Sequence, residues 1–287
     1  MPFLRTDVLN SYRATTFRTD PHLRLKSREE AVVFVNQSGF IFFWPAKDLL
    51  LPSLWKATAG DRPVPDAHDD PGHITWDWKD SLLSSRVWYY GRVIHNRNAM
   101  VCLCDLPYFY ALSPNYGDPE QDVIEQYEAG QLTQEARWVF DALLREGPLD
   151  TIQLKRAAHL NSLESDGRFN RAINELQMQF RLLPIGIARV GAWRYAFIYE
   201  LSHRHFPNLL EAARSISDSS AYQHILMRYL KMAGAARPQD IARLFRWHKQ
   251  PLEQAIIHLA ASGNLKNQVK LENQNDPWIS LPELCTE

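Results

Sequence analysis

From Thr133 onward the apolar residues fall at helical spacing in two successive blocks of the same form. In the first block Thr133 is placed to cap a helix over "QEARWVFDALLRE", whose Ala136, Val139, Phe140, Leu143 and Leu144 share one face. Gly147-Pro148 ends it. Asp150 opens a second helix, "TIQLKRAAHL". A third follows "NSLES", with Phe169, Ala172, Ile173, Leu176 and Phe180 recurring at helical intervals. Two apolar runs, "RLLPIGIAR" and "AWRYAFIYE", meet at Val190-Gly191 as a hairpin.

The second block repeats the plan. "AYQHILMRYLKMAG" is its first helix, and "PQDIARLFRW", with Pro238 suited to a first helical position, its second. "PLEQAIIHLAASG" is its third, stopped by Gly263, and "NLKNQVKLE" and "PWISL" make its hairpin. At one fixed offset, Phe169, Ala172, Ile173, Leu176 and Leu182 fall on Leu252, Ala255, Ile256, Leu259 and Leu265. Two amphipathic helices can share a period by themselves; the shared order of helices and hairpin favours duplication. Three helices and a hairpin in this order describe a winged helix-turn-helix. The expected fold class is α+β, mostly helical, with tandem winged helix-turn-helix units carrying short β-hairpin wings. The expected division is an aromatic-rich N-terminal region over 1–118, a middle winged helix over 119–210 and a C-terminal one over 211–287.

The N-terminal third is less regular. Ser27 and Glu30 give "SREEAVVFVNQSGFIFF" a capping-box start. "GDRPVPDAHDDPGH" reads as an exposed loop, and "RVWYYGRVI" and "AMVCLCDL" as two strands joined by the turn "HNRN". "ITWDWKD" reads as extended, with Trp76 and Trp78 on one side and Asp77 on the other. This region fits a degenerate winged helix with a pocket.

Composition narrows the classes. The 287 residues are 45% hydrophobic and 23% charged, as in an ordinary soluble globular chain. No apolar run is long enough to span a bilayer and the N-terminus lacks the apolar core of a secretory signal, so a cytoplasmic, nucleoid-associated monomer with no membrane partner is expected. Three cysteines form no disulfide framework, and neither they nor the ten histidines show metal-ligand spacing. There is no P-loop and no dinucleotide fingerprint, so no metal and no cofactor is expected. Charge is uneven. The stretch Asp105–Gly130 holds Asp105, Asp118, Glu120, Asp122, Glu125 and Glu128 with no Lys or Arg, whereas Ser220–Glu272 is basic. A polyanion would prefer the second region.

A helix-turn-helix reads DNA with the exposed face of its last helix while the wing reaches the backbone. The middle unit offers Arg168, Arg171, Asn174 and Gln177 on that helix, with Arg189 and Arg194 flanking the hairpin tip. The last unit offers Lys249, Gln250, Glu253 and Gln254, with Lys266 and Lys270 on the hairpin. The same residues also suit a merely solvated face or a protein-binding module. In the first region Trp76, Trp78, Tyr89 and Tyr90 are candidates for stacking on bases, against the plainer reading of a small aromatic core. In "FVNQSGFIFFWPA", Asn36 and Gln37 stand as adjacent amides amid apolar residues and either are hydrogen-bonded as structural groups or face a cavity.

In order and in residues, the chain resembles the AlkZ/YcaQ-like family of DNA glycosylases, built of tandem winged helices around a concave DNA-binding surface. "GAARPQDIARLFRWHKQPLEQAIIHLAASGNLKNQVKLENQNDPWISL" is similar to that family's last unit. "LLREGPLDTIQLKRAA" and "RYAFIYELSHRHFP" are similar to its middle one. The likeness covers Thr133 to Leu284 and thins out before it. It implies double-stranded DNA, alkylated or crosslinked, as the partner and excision of a damaged base as the activity. The family's motif is Gln, an apolar residue, then Gln or Asp, thought to position water and stabilise the sugar cation. Its best counterpart is Gln37-Ser38-Gly39. Gln37 fits; Ser38 is not apolar, and Gly39 supplies neither amide nor carboxylate. Either Asp77 or Asp80 supplies the missing carboxylate beside Gln37, or the chain binds DNA without cutting the bond. A winged-helix transcription regulator and an interaction module that binds no nucleic acid are the rival classes.

Overall fold

Three times along the chain a helix is followed by a strand, two more helices and a hairpin. The structure, a computed structural model, describes residues 2–67, 69–191 and 194–286. It opens with β1 (Phe3–Leu4) and α1 (Thr6–Thr16). The first unit is α2 (Arg28–Ser38), β2 (Phe40–Phe42), α3 (Leu54–Ala59), α4 (Ile74–Leu82), β3 (Trp88–Ile94) and β4 (Arg97–Cys102). Helices α5 (Leu106–Ala111) and α6 (Pro119–Glu128) lead to the second. That unit is α7 (Gln134–Glu146), β5 (Leu149–Asp150), α8 (Thr151–Ala157), α9 (Asp166–Met178), β6 (Leu182–Ala188) and β7 (Ala196–Leu201). After α10 (Ser202–His205) and α11 (Leu209–Arg214) comes the third. It consists of α12 (Asp218–Ala233), β8 (Ala235–Ala236), α13 (Pro238–Phe245), α14 (Lys249–Ala261), β9 (Lys266–Leu271) and β10 (Pro277–Ser280). In each unit the single strand pairs with the hairpin's second strand, giving orders β2-β4-β3, β5-β7-β6 and β8-β10-β9. This is the α+β, mostly helical, tandem winged-helix class that the apolar spacing predicts. No helix among the described residues is long and apolar enough to cross a membrane.

Local chemistry sets the element ends. The Thr133 hydroxyl accepts from Ala136 N at 3.3 Å at the start of α7. Asp150 and Gln153 form a reciprocal capping box on α8. At α2 the Ser27 hydroxyl accepts from Glu30 N, but Glu30 reaches back to Lys26 N at 2.7 Å instead of closing the box on Ser27. The β3–β4 turn is His95-Asn96, both left-handed (φ 50° and 55°), the conformation that a two-residue hairpin favours.

Two regions differ from the sequence expectation. "ITWDWKD" is not extended: it forms α4, so Trp76 and Trp78 do not share a face. Its alternating pattern is too short to separate the two periods, and Asp70, which caps the turn before it, commits the segment to helix. Residues 3–16 also leave the N-terminal region: β1 runs parallel to β9 (Phe3 opposite Lys270), and Arg13 donates to the Ala233 and Ala235 carbonyls.

The largest core joins all three units. Phe40, Tyr89 and Phe109 pack with Phe180 and Leu183 of the middle unit and with Ile225, Tyr229 and Ile256 of the last. The middle unit keeps a second core of its own around Phe140, Phe169 and Leu176. A shared core of this kind fixes the units against one another, so a site built between them is preformed.

Candidate functional site

Helix α2 carries Gln37 on its last turn. Asn36 and Gln37 are both exposed, so neither amide is a buried polar group requiring compensation. The Asn36 carbonyl accepts from Arg228 Nη2 at 2.9 Å. Gln37 stands at an open cavity of about 280 Å³ between α1, α2 and α12, lined also by Thr15, Thr16, Arg18, Ser38 and Lys231 over Leu23, Phe34 and Met232. Arg18 Nη2 donates to Gln37 Oε1 at 3.2 Å, which fixes the orientation of the carboxamide and leaves its NH2 free to donate. Arg18 itself has φ 53°, an unusual backbone state for a non-glycine residue, and its guanidinium lies 5.7 Å from the Phe34 ring centroid.

Immediately behind Gln37, Gly39 ends α2 at φ 88°. A Cβ there would collide with Asp105 Oδ2 and the Arg228 guanidinium. Asp105 is buried and accepts from His224 Nε2 at 2.6 Å, Arg228 Nε at 2.7 Å and Cys102 Sγ at 3.2 Å. Burial by itself would raise the Asp105 carboxyl; the hydrogen bonds from His224, Arg228 and Cys102 outweigh it and hold the group below its ordinary range. The His224 ring stacks flat on Tyr108, centroids 3.6 Å apart. Sequence spacing gave no sign of this cluster, because its members come from β4, α5 and α12. Cys102, Cys104 and Asp105 also bring ligand atoms within 4.8 Å of one another, a grouping that the spacing of the cysteines does not suggest. Arg228 holds one Asp105 oxygen and His224 the other, so the carboxylate is engaged as the anion of an ion pair, an environment unsuited to a metal cation.

Asp77 and Asp80 do not join Gln37. Asp77 is exposed and acts on Arg28, at the opposite end of α2. Gln37 lies nine helical steps beyond Arg28, about 13 Å of rise. Asp80 pairs with Lys79 Nζ at 2.5 Å and accepts from the Tyr195 hydroxyl at 3.1 Å. Lys79 is buried among the rings of Phe43, Tyr90, Tyr195 and Phe197, at 4.9 to 5.8 Å. Burial pushes its ammonium down, offset in part by Asp80.

The stacking candidates are largely core. Trp78, Tyr89 and Tyr90 are buried, and the Tyr89 hydroxyl donates to the Leu182 carbonyl at 3.1 Å across the junction with the middle unit. Trp76 is half-buried and stacks on His73, centroids 4.9 Å apart. Trp78, Tyr89 and Tyr90 thus belong to a core, the plainer of the two readings, and of these Tyr89 is anchored by its hydroxyl. His203 and His205 lie on α10, His205 is buried, and burial pushes both imidazoles down to about 4.

The cationic candidates divide by helix. Arg168, Arg171, Arg189 and Arg194 are all exposed, and Arg168 pairs with Glu135 at 3.3 Å. Gln177, further along α9, is buried: its Oε1 accepts from Arg92 N on β3 at 2.9 Å. The face of α9 that carries Gln177 is therefore covered by β3 and cannot enter a groove. On α14, by contrast, Lys249, Gln250, Glu253 and Gln254 are all exposed, with Lys249 near Glu253 at 3.4 Å. Lys266 and Lys270 are exposed on β9. Sequence reasoning passed over Arg18, Lys231 and the Arg92–Arg97 pair of the first hairpin. The last two line, with Trp44 and Asn96, a separate cavity of about 250 Å³.

In its fold the chain is similar to the Streptomyces sahachiroi DNA glycosylase AlkZ. The TM-score is 0.62 at 13% identity, over 98% of this chain and 71% of that one. No curated protein matches the chain. The model of the AlkZ-related family matches residues 25–246, which span α2 to the start of the α13–α14 turn and take in Gln37, Asp105 and Arg228. On that match the chain belongs to the AlkZ-related family.

Proposed function

We propose that the protein binds double-stranded DNA as a repair-type protein and removes alkylated or crosslinked bases by hydrolysing the N-glycosidic bond. The observation that carries the reading is Gln37, held by Arg18 at the mouth of a cation-lined cavity, in a chain of this family and fold. An exposed carboxamide with a free NH2 can hold a nucleoside or a water at the sugar. The duplex is met by the exposed α14 face with Lys249, by Lys266 and Lys270 on β9, and by Arg168, Arg171, Arg189 and Arg194 of the middle unit. Asp77 and Asp80 have no part in the reaction, and Trp78, Tyr89 and Tyr90 do not stack on bases. A flipped nucleotide meets Gln37 at the mouth of the cavity, its base extruded from the duplex as in other enzymes that act on a single base.

In this reading the departing base leaves an oxocarbenium-like sugar, and water adds at its anomeric carbon. A neutral amide stabilises that charge less than a nearby carboxylate does. Asp105 is the nearest buried carboxylate, but both its oxygens are engaged behind Gly39. The test is release of an N7-alkylated base from duplex DNA by the purified protein, repeated with Gln37→Ala. Release that is lost in the variant while duplex binding persists supports the reading. Release at wild-type level by the variant removes Gln37 from it.

A further inference from the structure

We propose that the cavity beside Gln37 receives a phosphodiester of the DNA backbone, and that the damaged base lies outside it. The inference rests on the DNA-binding reading above.

Charge decides what this cavity can hold. Arg18 and Lys231 both line the cavity, and none of its lining residues is acidic. The polar partners of the Arg18 guanidinium are neutral oxygens, the Leu23 carbonyl at 3.3 Å and Gln37 Oε1 at 3.2 Å. Among the described residues neither cation is paired with a carboxylate, whereas sixteen other contacts in the molecule join a cationic group to an acid. The left-handed backbone at Arg18 closes the C-terminal end of α1, where Arg18 N donates to the Thr15 carbonyl and Thr19 N to the Ala14 carbonyl, and the guanidinium lies by the Phe34 ring. Ser38 also lines the cavity.

Two uncompensated cations in a partly enclosed space make a positive potential that solvent screens less than at an open surface. An N7-alkylated purine is itself a cation, so this cavity repels it. A phosphodiester is an anion, and a guanidinium, an ammonium and a hydroxyl are the donors that bind one. The volume, about 280 Å³, sits at the low end of ligand cavities, which run on the order of 300–1,000 Å³. With the diester seated inside, the sugar to which it is attached lies at the mouth, where Gln37 is. The negative charge of the diester then stands close to the anomeric carbon and offsets the positive charge that develops there. The substrate itself thereby supplies part of the negative charge that no residue at position 39 provides.

The experiment is a salt titration of duplex binding by the full-length protein, Lys231→Gln and Arg18→Gln. Lys231 is an exposed residue of α12, so its variant retains the fold even if the Arg18 change disturbs the α1–α2 connection. Each phosphate contact contributes about 0.9 to the slope of log K against log salt on B-form DNA. Lys231→Gln is expected to lower the slope by close to that amount, and a folded Arg18→Gln to do the same. A slope unchanged in Lys231→Gln overturns the proposal. So does a calorimetric titration in which inorganic phosphate binds the wild type but not Lys231→Gln while the DNA slopes stay equal, since the cavity then serves a free anion. Failure of the wild type to bind duplex at low salt is a different result, and it defeats the DNA-binding reading itself.

Discussion

The Asp105 carboxylate occupies the space that a side chain on Gly39 would need. Position 39 is the counterpart, on the resemblance read from the sequence, of the motif's Gln or Asp, and here backbone shape (φ 88°) and the Asp105–Arg228 pair together admit only glycine. Restoring the motif by Gly39→Gln is therefore expected to destabilise the protein by roughly 2–5 kcal/mol, from left-handed strain and overpacking together. Thermal unfolding checks it. A variant as stable as the wild type would show that the pair can move aside and that the position is open to a catalytic side chain.

The Asp105 cluster also sets an acid limit. The folded-state pKa of Asp105 lies below its unfolded value of about 3.9, so the cluster stabilises fully above that value and loses its contribution as pH falls through the folded pKa. Asp105→Asn leaves Arg228 without its acid partner and is expected to cost on the order of 3 kcal/mol at pH 7. Denaturant midpoints between pH 7 and pH 3 should then fall less steeply in the variant than in the wild type. Parallel curves would assign the acid sensitivity to other groups.

Lys79 predicts a trend of the same sign in a more alkaline window. Its folded-state pKa is lowered by burial, so between that value and the unfolded one near 10.4 the unfolded chain binds more protons, and stability rises with pH. Buried tyrosines, Tyr89 and Tyr90 among them, are pushed up, so above about pH 10 they pull stability down again. Lys79→Met, which fills the same aromatic cage without a charge, should retain or improve stability at pH 7 and abolish the gain as pH rises toward the unfolded lysine value near 10.4. Asp80 keeps the Tyr195 hydroxyl in that variant. A variant that is strongly destabilised would mean that the cage requires the cation.

Gln177 separates fold from DNA contact. Its amide satisfies Arg92 N at the α9–β3 junction, so Gln177→Ala is expected to cost about 1–2 kcal/mol of stability and leave duplex affinity unchanged. Arg171→Ala, on the open face of the same helix, should do the reverse. Filter binding beside thermal unfolding distinguishes the two; loss of affinity in folded Gln177→Ala would mean that the covered face of α9 opens to the duplex.

The two later units were legible in the sequence because their helices bury a single stripe and carry explicit caps at Thr133 and Asp150. The first unit was harder to read. Its helices are short, α4 mimics an alternating strand, and its hairpin is buried on both faces, which blurs the apolar spacing. What reasoning from one sequence could not reach is the docking between units. Gln177 looks like a recognition-helix residue until β3 covers it, and Tyr89 looks like a stacking platform until its hydroxyl is tied to Leu182. For the same reason Asp105 lay hidden in an acidic stretch: its partners His224 and Arg228 lie more than a hundred residues away in the chain.

Release of a base from alkylated duplex by the purified protein, with Gln37→Ala in parallel at equal DNA occupancy, tests the central claim most directly. Free alkylated base from the wild type and none above background from the variant is the predicted result. Duplex bound tightly by the wild type with no base released from alkylated or crosslinked substrates would contradict it.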